Sequence, residues 1–126
     1  MAAPTPKRLR LSRAMRIKQG RDFARIRLEG ERRASGCLIA NWRRLPGGSA
    51  ARLGVVTGRK VGNAVARGRA RRLLREVFRV HQHDLVQPID LVLIARPSIA
   101  AKGFEEVELD FLASLRRTGL LLQETL

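Results

Sequence analysis

Cysteine is nearly absent: Cys37 stands alone in 126 residues. No internal disulfide can form, and no cysteine-based metal site can be built around it. A lone thiol suits a reducing compartment, and the cytoplasm is the expected location. Long apolar runs are missing too. The longest, Leu91–Ala95 with Ile89 ahead of it, falls far short of the roughly 20 residues that cross a bilayer, and no membrane partner is expected. The N-terminal stretch Met1–Gly20 is Arg-rich and acid-free, superficially like an organellar transit peptide, but no secretory apolar segment follows it. Histidine occurs twice, at His81 and His83. Without a nearby cysteine or a third ligand the pair makes no zinc site, and a polar helix C-terminus accounts for it. The basic region contains no Ser/His/Asp, Cys/His or paired-carboxylate constellation. The acids at Glu105, Glu106, Glu108 and Asp110 read as the first turns of a helix rather than a two-metal nuclease site. Protein side chains equipped for hydrolysis are therefore lacking.

Acids are the other scarcity, with 11 Asp and Glu against 26 Lys and Arg, a formal net charge of +15 and a pI near 11.8. Self-repulsion on that scale costs stability unless a polyanionic partner neutralises it. Hydrophobic residues still make up 44% of the chain, which excludes a disordered basic tail and leaves enough for one compact domain with a small core. The charge is uneven. Residues 1–33 carry eleven basic and three acidic side chains, residues 59–79 eight and one, and residues 80–126 four and seven. The front two thirds meet the partner, and the last third is scaffold.

A single domain over 1–126 is expected, with residues 1–16 a disordered basic arm. Phe23 and Ile26 share a face of a short helix at Gly20–Glu29 that Gly30 can stop. Gly36–Arg44 has the density of a strand, and Arg52–Gly58 is a second. The turn chemistry of Leu45-Pro46-Gly47-Gly48-Ser49 between them suggests an antiparallel pair, whereas a strand before Gly36 is only weakly signalled. Ile89–Ala95 is the clearest buried strand. Gly103–Thr118 closes the chain as an amphipathic helix, with Phe104, Val107, Phe111, Leu112 and Leu115 in one stripe. Its acids lie early and Arg116 and Arg117 late, as a helix dipole favours, and Gly119 caps it. The order is that of an α+β domain.

The helix between these strands, about Ala64–His81, holds the strongest signal. At about 100° per residue, Ala66, Ala70, Leu73, Leu74 and Val77 gather in one arc, and Arg67, Arg71, Arg72, Arg75 and Arg79 spread over the other side. Only Glu76 opposes them, so i,i+4 ion pairs do not explain the arginines, and a phosphate backbone is the partner that does. Three readings of such a face stand: a subunit of an RNA-processing particle, a structural (ribosomal-type) RNA-binding protein, and a DNA-binding module with its helix in the major groove. Gly62 and Asn63 form a turn ahead of the helix, either as a plain turn or as a place where backbone approaches phosphate. Phe23 is equally placed for core packing or for stacking on a base. By two-residue alternation Ile39 and Asn41 face one side of their strand, and Leu38, Ala40 and Trp42 the other.

The run from Arg52 to Glu76, Leu-Gly-Val-Val-Thr-Gly-Arg-Lys-Val-Gly-Asn-Ala-Val and then Arg67-Gly68-Arg69 opening the arginine helix, resembles the protein subunit of bacterial ribonuclease P. Arg21-Asp22-Phe23 with Ile26, the strand Asp90–Ala95 before Arg96-Pro97, and Phe104-Glu105-Glu106 extend the likeness over about residues 8–119. The resemblance implies an αβββαβα order, a central, mostly antiparallel sheet of about four strands, and a left-handed crossover around the basic helix. It implies that the RNA subunit, using Mg²⁺, removes the 5′ leader of precursor tRNA, and that one protein binds each RNA. Arg59, Lys60, Gly62, Asn63, Arg67, Arg69, Arg71, Arg72 and Arg75 would contact that catalytic RNA, and Phe23, Arg27, Ile39, Asn41 and Val56 would line a leader cleft. Four positions depart from the family pattern. Gly68 replaces an asparagine, Arg59 a lysine, Arg27 an aromatic, and Asn41 a tyrosine-like residue.

Overall fold

The computed structural model describes residues 11–122. Three helices and four strands follow in the expected order: α1 (Gly20–Glu29), β1 (Glu31–Ser35), β2 (Leu38–Arg44), β3 (Arg52–Val56), α2 (Ala64–His81), β4 (Ile89–Ala95) and α3 (Phe104–Arg116). The sheet order is β1-β2-β4-β3, with β2 antiparallel to β1 and β4, and β3 parallel to β4. β2 and β3 are thus not the antiparallel pair that the Leu45–Ser49 turn suggests. β4 is buried on both faces along nearly its whole length, and a strand apolar on both faces belongs in the middle of a sheet. It separates β2 from β3 by two strand spacings, about 10 Å, which segment 45–51 spans. β1 is mostly exposed and lies at the edge, which is why its apolar signal is weak.

Strand alternation sorts the side chains into two layers. Leu38, Ala40 and Trp42 of β2, Leu53 and Val55 of β3, and Ile89, Leu91, Leu93 and Ala95 of β4 face α2 and α3. There they meet Leu74, Val77, Phe78, Val107, Phe111 and Leu115 in the main core. The other face carries a smaller cluster beneath α1, where Ile26, Ile17 and Val92 pack with Phe23 and Ile94. Gly54 makes this possible, since a Cβ there would stand 2.6 Å from the Phe23 ring.

Part of the expected disordered arm is structured. Arg13–Met15 forms a 3₁₀ turn, Leu11 and Met15 pack on the main core, and Arg16 makes a parallel bridge to Leu53. The Ile17 amide donates to the Leu53 carbonyl at 2.8 Å. β3 is an edge strand whose backbone groups seek partners, and scattered apolar residues suffice to hold the segment there. Residues 1–10, the remainder of that arm, lie outside the described residues.

Two polar clamps tie the layers. Asp90 is fully buried and accepts from Arg52 Nε at 2.8 Å, Arg52 Nη2 at 2.9 Å and Arg43 Nη2 at 3.3 Å, joining β4 to both neighbours. Burial alone would raise its pKa, but the hydrogen bonds and charges of Arg52 and Arg43 outweigh that and hold it below the usual carboxylate value. At the end of α2, His81 places Nδ1 2.8 Å from Asp84 and Nε2 2.8 Å from Glu108 of α3, and its ring stacks on Phe111. Burial would lower the imidazole pKa, yet the two carboxylates win and raise it.

Asp90→Ala leaves two arginines facing a dry gap and is expected to cost about 3 kcal/mol, the lower end for breaking a buried pair, read as a fall in urea midpoint. Because the folded pKa of Asp90 is depressed, its contribution is present above the unfolded value and disappears as pH drops through the folded one; acid titration of the wild type and D90A should converge at low pH. The His81 clamp has the opposite sign. Its contribution is complete below about pH 6.5 and is lost as pH rises through the raised folded pKa, so urea midpoints should decline over that range in the wild type. His81→Gln should flatten this decline, and an unchanged slope would refute the clamp.

Candidate nucleic-acid interface

α2 begins where the chain must turn sharply. Val61 is buried and anchors the 3₁₀ turn Arg59–Val61, leaving Arg59 and Lys60 exposed. Gly62 has φ of 142°, a conformation that residues with a Cβ rarely adopt. Asn63 is the N-cap, its side-chain oxygen accepting from the Ala66 amide at 2.9 Å. Among the described residues no acceptor faces the first amides of the helix, at Ala64 and Val65, and they point out at its positive end, where anions bind. The turn is thus a helix cap, and the amides beside it face outward at the start of the helix.

Ala70, Leu74, Val77 and Phe78 press α2 onto the sheet, and the arginines emerge on both sides of that arc. Arg67, Arg71 and Arg75 follow one another a turn apart on the flank bordering β3, where Arg71 donates to the Thr57 hydroxyl at 2.9 Å. The N-terminal segment adds to this flank. Arg16, Lys18 and Arg75 line a groove of about 210 Å³ with Leu11, Ile17, Leu53, Gly54 and Val55. The guanidinium of Arg75 has its pKa lowered, first by desolvation and then by the charges of Arg16 and Arg71. Among the described residues none of Arg59, Lys60, Arg67, Arg69, Arg71, Arg72 or Arg75 pairs with a carboxylate. Glu76 is taken by Arg79. The positive charge is uncompensated where it is most crowded.

Arg69 is placed differently from its neighbours. Its guanidinium donates to the carbonyls of Lys102 and Ile99 and so braces the loop after β4, away from the Arg67–Arg71–Arg75 flank. Gly68, between Arg67 and Arg69, is overhung by the guanidinium groups of Arg72 and Arg71, 3.5 and 3.7 Å from where its Cβ would stand. Arg16 and Lys18 are functional candidates that sequence reasoning did not single out. The available signal was the acid-free stretch around them.

On the opposite face of the sheet the cleft residues separate into two groups. The register aligns Val56 with Ile94, Ile94 with Ile39, and Ile39 with Ala34, a row of aliphatics across all four strands that is half-buried or exposed. Phe23, half-buried, and Arg27, exposed, lie one turn apart on α1, with Phe23 packed against the same buried cluster as Ile94. Asn41 does not belong to this open surface. It is buried, and its amide donates to the Glu31 carbonyl at 2.9 Å and the Ile26 carbonyl at 3.3 Å. It satisfies the end of α1 and the start of β1 from beneath, because its row, with Gly54 and Val92, is the one α1 covers. Ile94 and Ala34, not Asn41, complete the open aliphatic row, and only the strand register reveals them.

The ribonuclease P family model matches residues 11–119. The ribonuclease P protein component of Brevibacillus brevis is 31% identical over 113 residues, covering 90% of each chain. That of Gluconacetobacter diazotrophicus is 34% identical over 86% of this chain and 94% of its own. Among solved structures, the ribonuclease P protein of Staphylococcus aureus superposes with a TM-score of 0.77 at 28% identity, covering 86% of this chain and 99% of that one. The protein from Thermotoga maritima gives 0.71 at 30% identity over 81% and 96%. With the family model spanning nearly all of the described residues, the chain belongs to the ribonuclease P protein-component family.

Proposed function

We propose that this protein binds the catalytic RNA of ribonuclease P and the 5′ leader of precursor tRNA, so that the RNA can cut the leader away and leave the mature tRNA end. The observation carrying this reading is the crowded set Arg16, Arg71 and Arg75, with Arg67 beside it and none of them paired with a carboxylate among the described residues. A surface of that kind is stabilised by phosphates. An A-form duplex has a major groove too narrow for a helix, so α2 lies against backbone and exposed loops. The exposed amides of the first turn of α2, at Ala64 and Val65, add fixed donors at one end.

On the other face the row Val56, Ile94, Ile39 and Ala34, flanked by Phe23 and Arg27, suits a single strand: an apolar floor for bases beside a cation for their phosphates. The donor set of both surfaces consists of guanidinium, ammonium and amide N–H groups, which offer Mg²⁺ no lone pair. The metal of the proposed reaction therefore sits on RNA phosphates, and hydrolysis needs no protein side chain. One protein per RNA, in the cytoplasm, completes the reading. A purely structural RNA-binding role would require the charged flank but not the aliphatic row on the opposite face.

Mixing the protein with a bacterial-type catalytic RNA and precursor tRNA at low Mg²⁺ should restore leader cleavage; no restoration would leave the structural RNA-binding and DNA-binding readings. Arg67→Ala with Arg71→Ala should weaken RNA binding and make its salt dependence shallower by about one to two in log–log slope, with the circular dichroism spectrum unchanged. An unaltered slope would count against the α2 flank as the RNA surface.

A further inference from the structure

The flank of α2 facing away from β3 carries a different chemistry. Arg69, Arg72, Leu73 and Glu76 border the start of α3, and with Phe104 they line an open depression of about 400 Å³. Leu73 and Phe104 are partly buried and pack on the edge of the main core. Phe104 begins the apolar stripe whose later members, Val107, Phe111 and Leu115, are buried, but among the described residues nothing closes over it. Arg69, bonded to the Ile99 and Lys102 carbonyls, makes one wall rigid. Arg72 is exposed and among the described residues pairs with no acid, and Glu76 is tied to Arg79.

We propose that this depression receives one unstacked nucleobase of the RNA bound along the Arg67–Arg71–Arg75 flank, with its ring on Phe104, its edge against Leu73 and its phosphate toward Arg72. The inference rests on the RNA-binding reading above. α2 with its side chains is about 10–12 Å across, a width that a few nucleotides bridge, so one strand can touch both flanks. Single-stranded RNA is held by such splayed bases on aromatic and guanidinium surfaces. Glu76 in the wall decides which part of the nucleotide enters. With its charge balanced by Arg79 it draws no cation in, and the remaining lone pairs of its carboxylate can accept a hydrogen bond from the exocyclic amino group of a base. A second copy of this chain is disfavoured by the net charge of +15, and the five lining residues are few beside the roughly 20–30 a side of a stable protein interface.

The test uses the full-length chain and a bacterial-type ribonuclease P RNA as probe. Phe104→Trp keeps an aromatic ring in place and adds a reporter to a protein whose native Trp42 is only 2% exposed. Saturating RNA should quench the emission of the new tryptophan and leave Trp42 nearly unaffected. Phe104→Leu keeps apolar volume but removes the aromatic face. It should weaken RNA binding about fivefold to tenfold, the lower part of the range for stacking on one base, with the salt slope unchanged because no phosphate contact is lost. Unquenched emission in F104W together with wild-type affinity in F104L would overturn the proposal. If binding still depended on Arg67 and Arg71 in that case, the RNA-binding function would stand without the base pocket. Loss of both dependences would remove both. Should F104L melt at markedly lower temperature, the quenching of F104W decides alone.

Discussion

β4 has to be covered on both faces and both edges, and the remaining architecture is the solution to that demand. Its run Ile89–Ala95 is buried almost throughout, so neither face can meet water without exposing large apolar side chains. β2 takes one edge antiparallel and β3 the other in parallel. A parallel neighbour requires a crossover, and the segment between β3 and β4 is the basic helix. α2 is consequently pressed on the sheet through Ala70, Leu74, Val77 and Phe78, and its arginines are forced outward to either side.

The distribution of acids completes that arrangement. Asp90 is enclosed between Arg52 and Arg43, Glu108 serves His81, Glu76 serves Arg79 and Glu106 serves Lys102. Each of these pairs fastens one element to another or steadies a helix, and none reaches the flank where Arg67, Arg71 and Arg75 meet Arg16. Like charges held close by a folded backbone raise the free energy of the unbound protein. A polyanion lowers it again, which is a physical basis for both affinity and its salt dependence.

Several residues changed meaning once the strands were in register. Asn41 alternates in phase with Ile39, as expected, yet two residues along a strand decide whether α1 lies overhead, and Asn41 is covered where Ile39 is not. Arg69 shares composition and helix with Arg67 and Arg71 but finds the carbonyls of the loop after β4. Phe23 packs between α1 and the sheet in the room that Gly54 leaves, and it stays half-buried.

Local periodicity alone determined the basic helix, the buried strand Ile89–Ala95 and the closing amphipathic helix, and the lopsided charge determined the kind of partner. Those properties are written in residues a few positions apart, within the reach of a single element. The exchange of strand neighbours, the docking of Arg16 and Lys18 beside Arg75, the row from Val56 to Ala34 and the open flank at Phe104 depend on contacts between residues far apart in the chain. Only the tertiary structure decided them, because burial and hydrogen bonding choose among partners that local patterns leave equivalent.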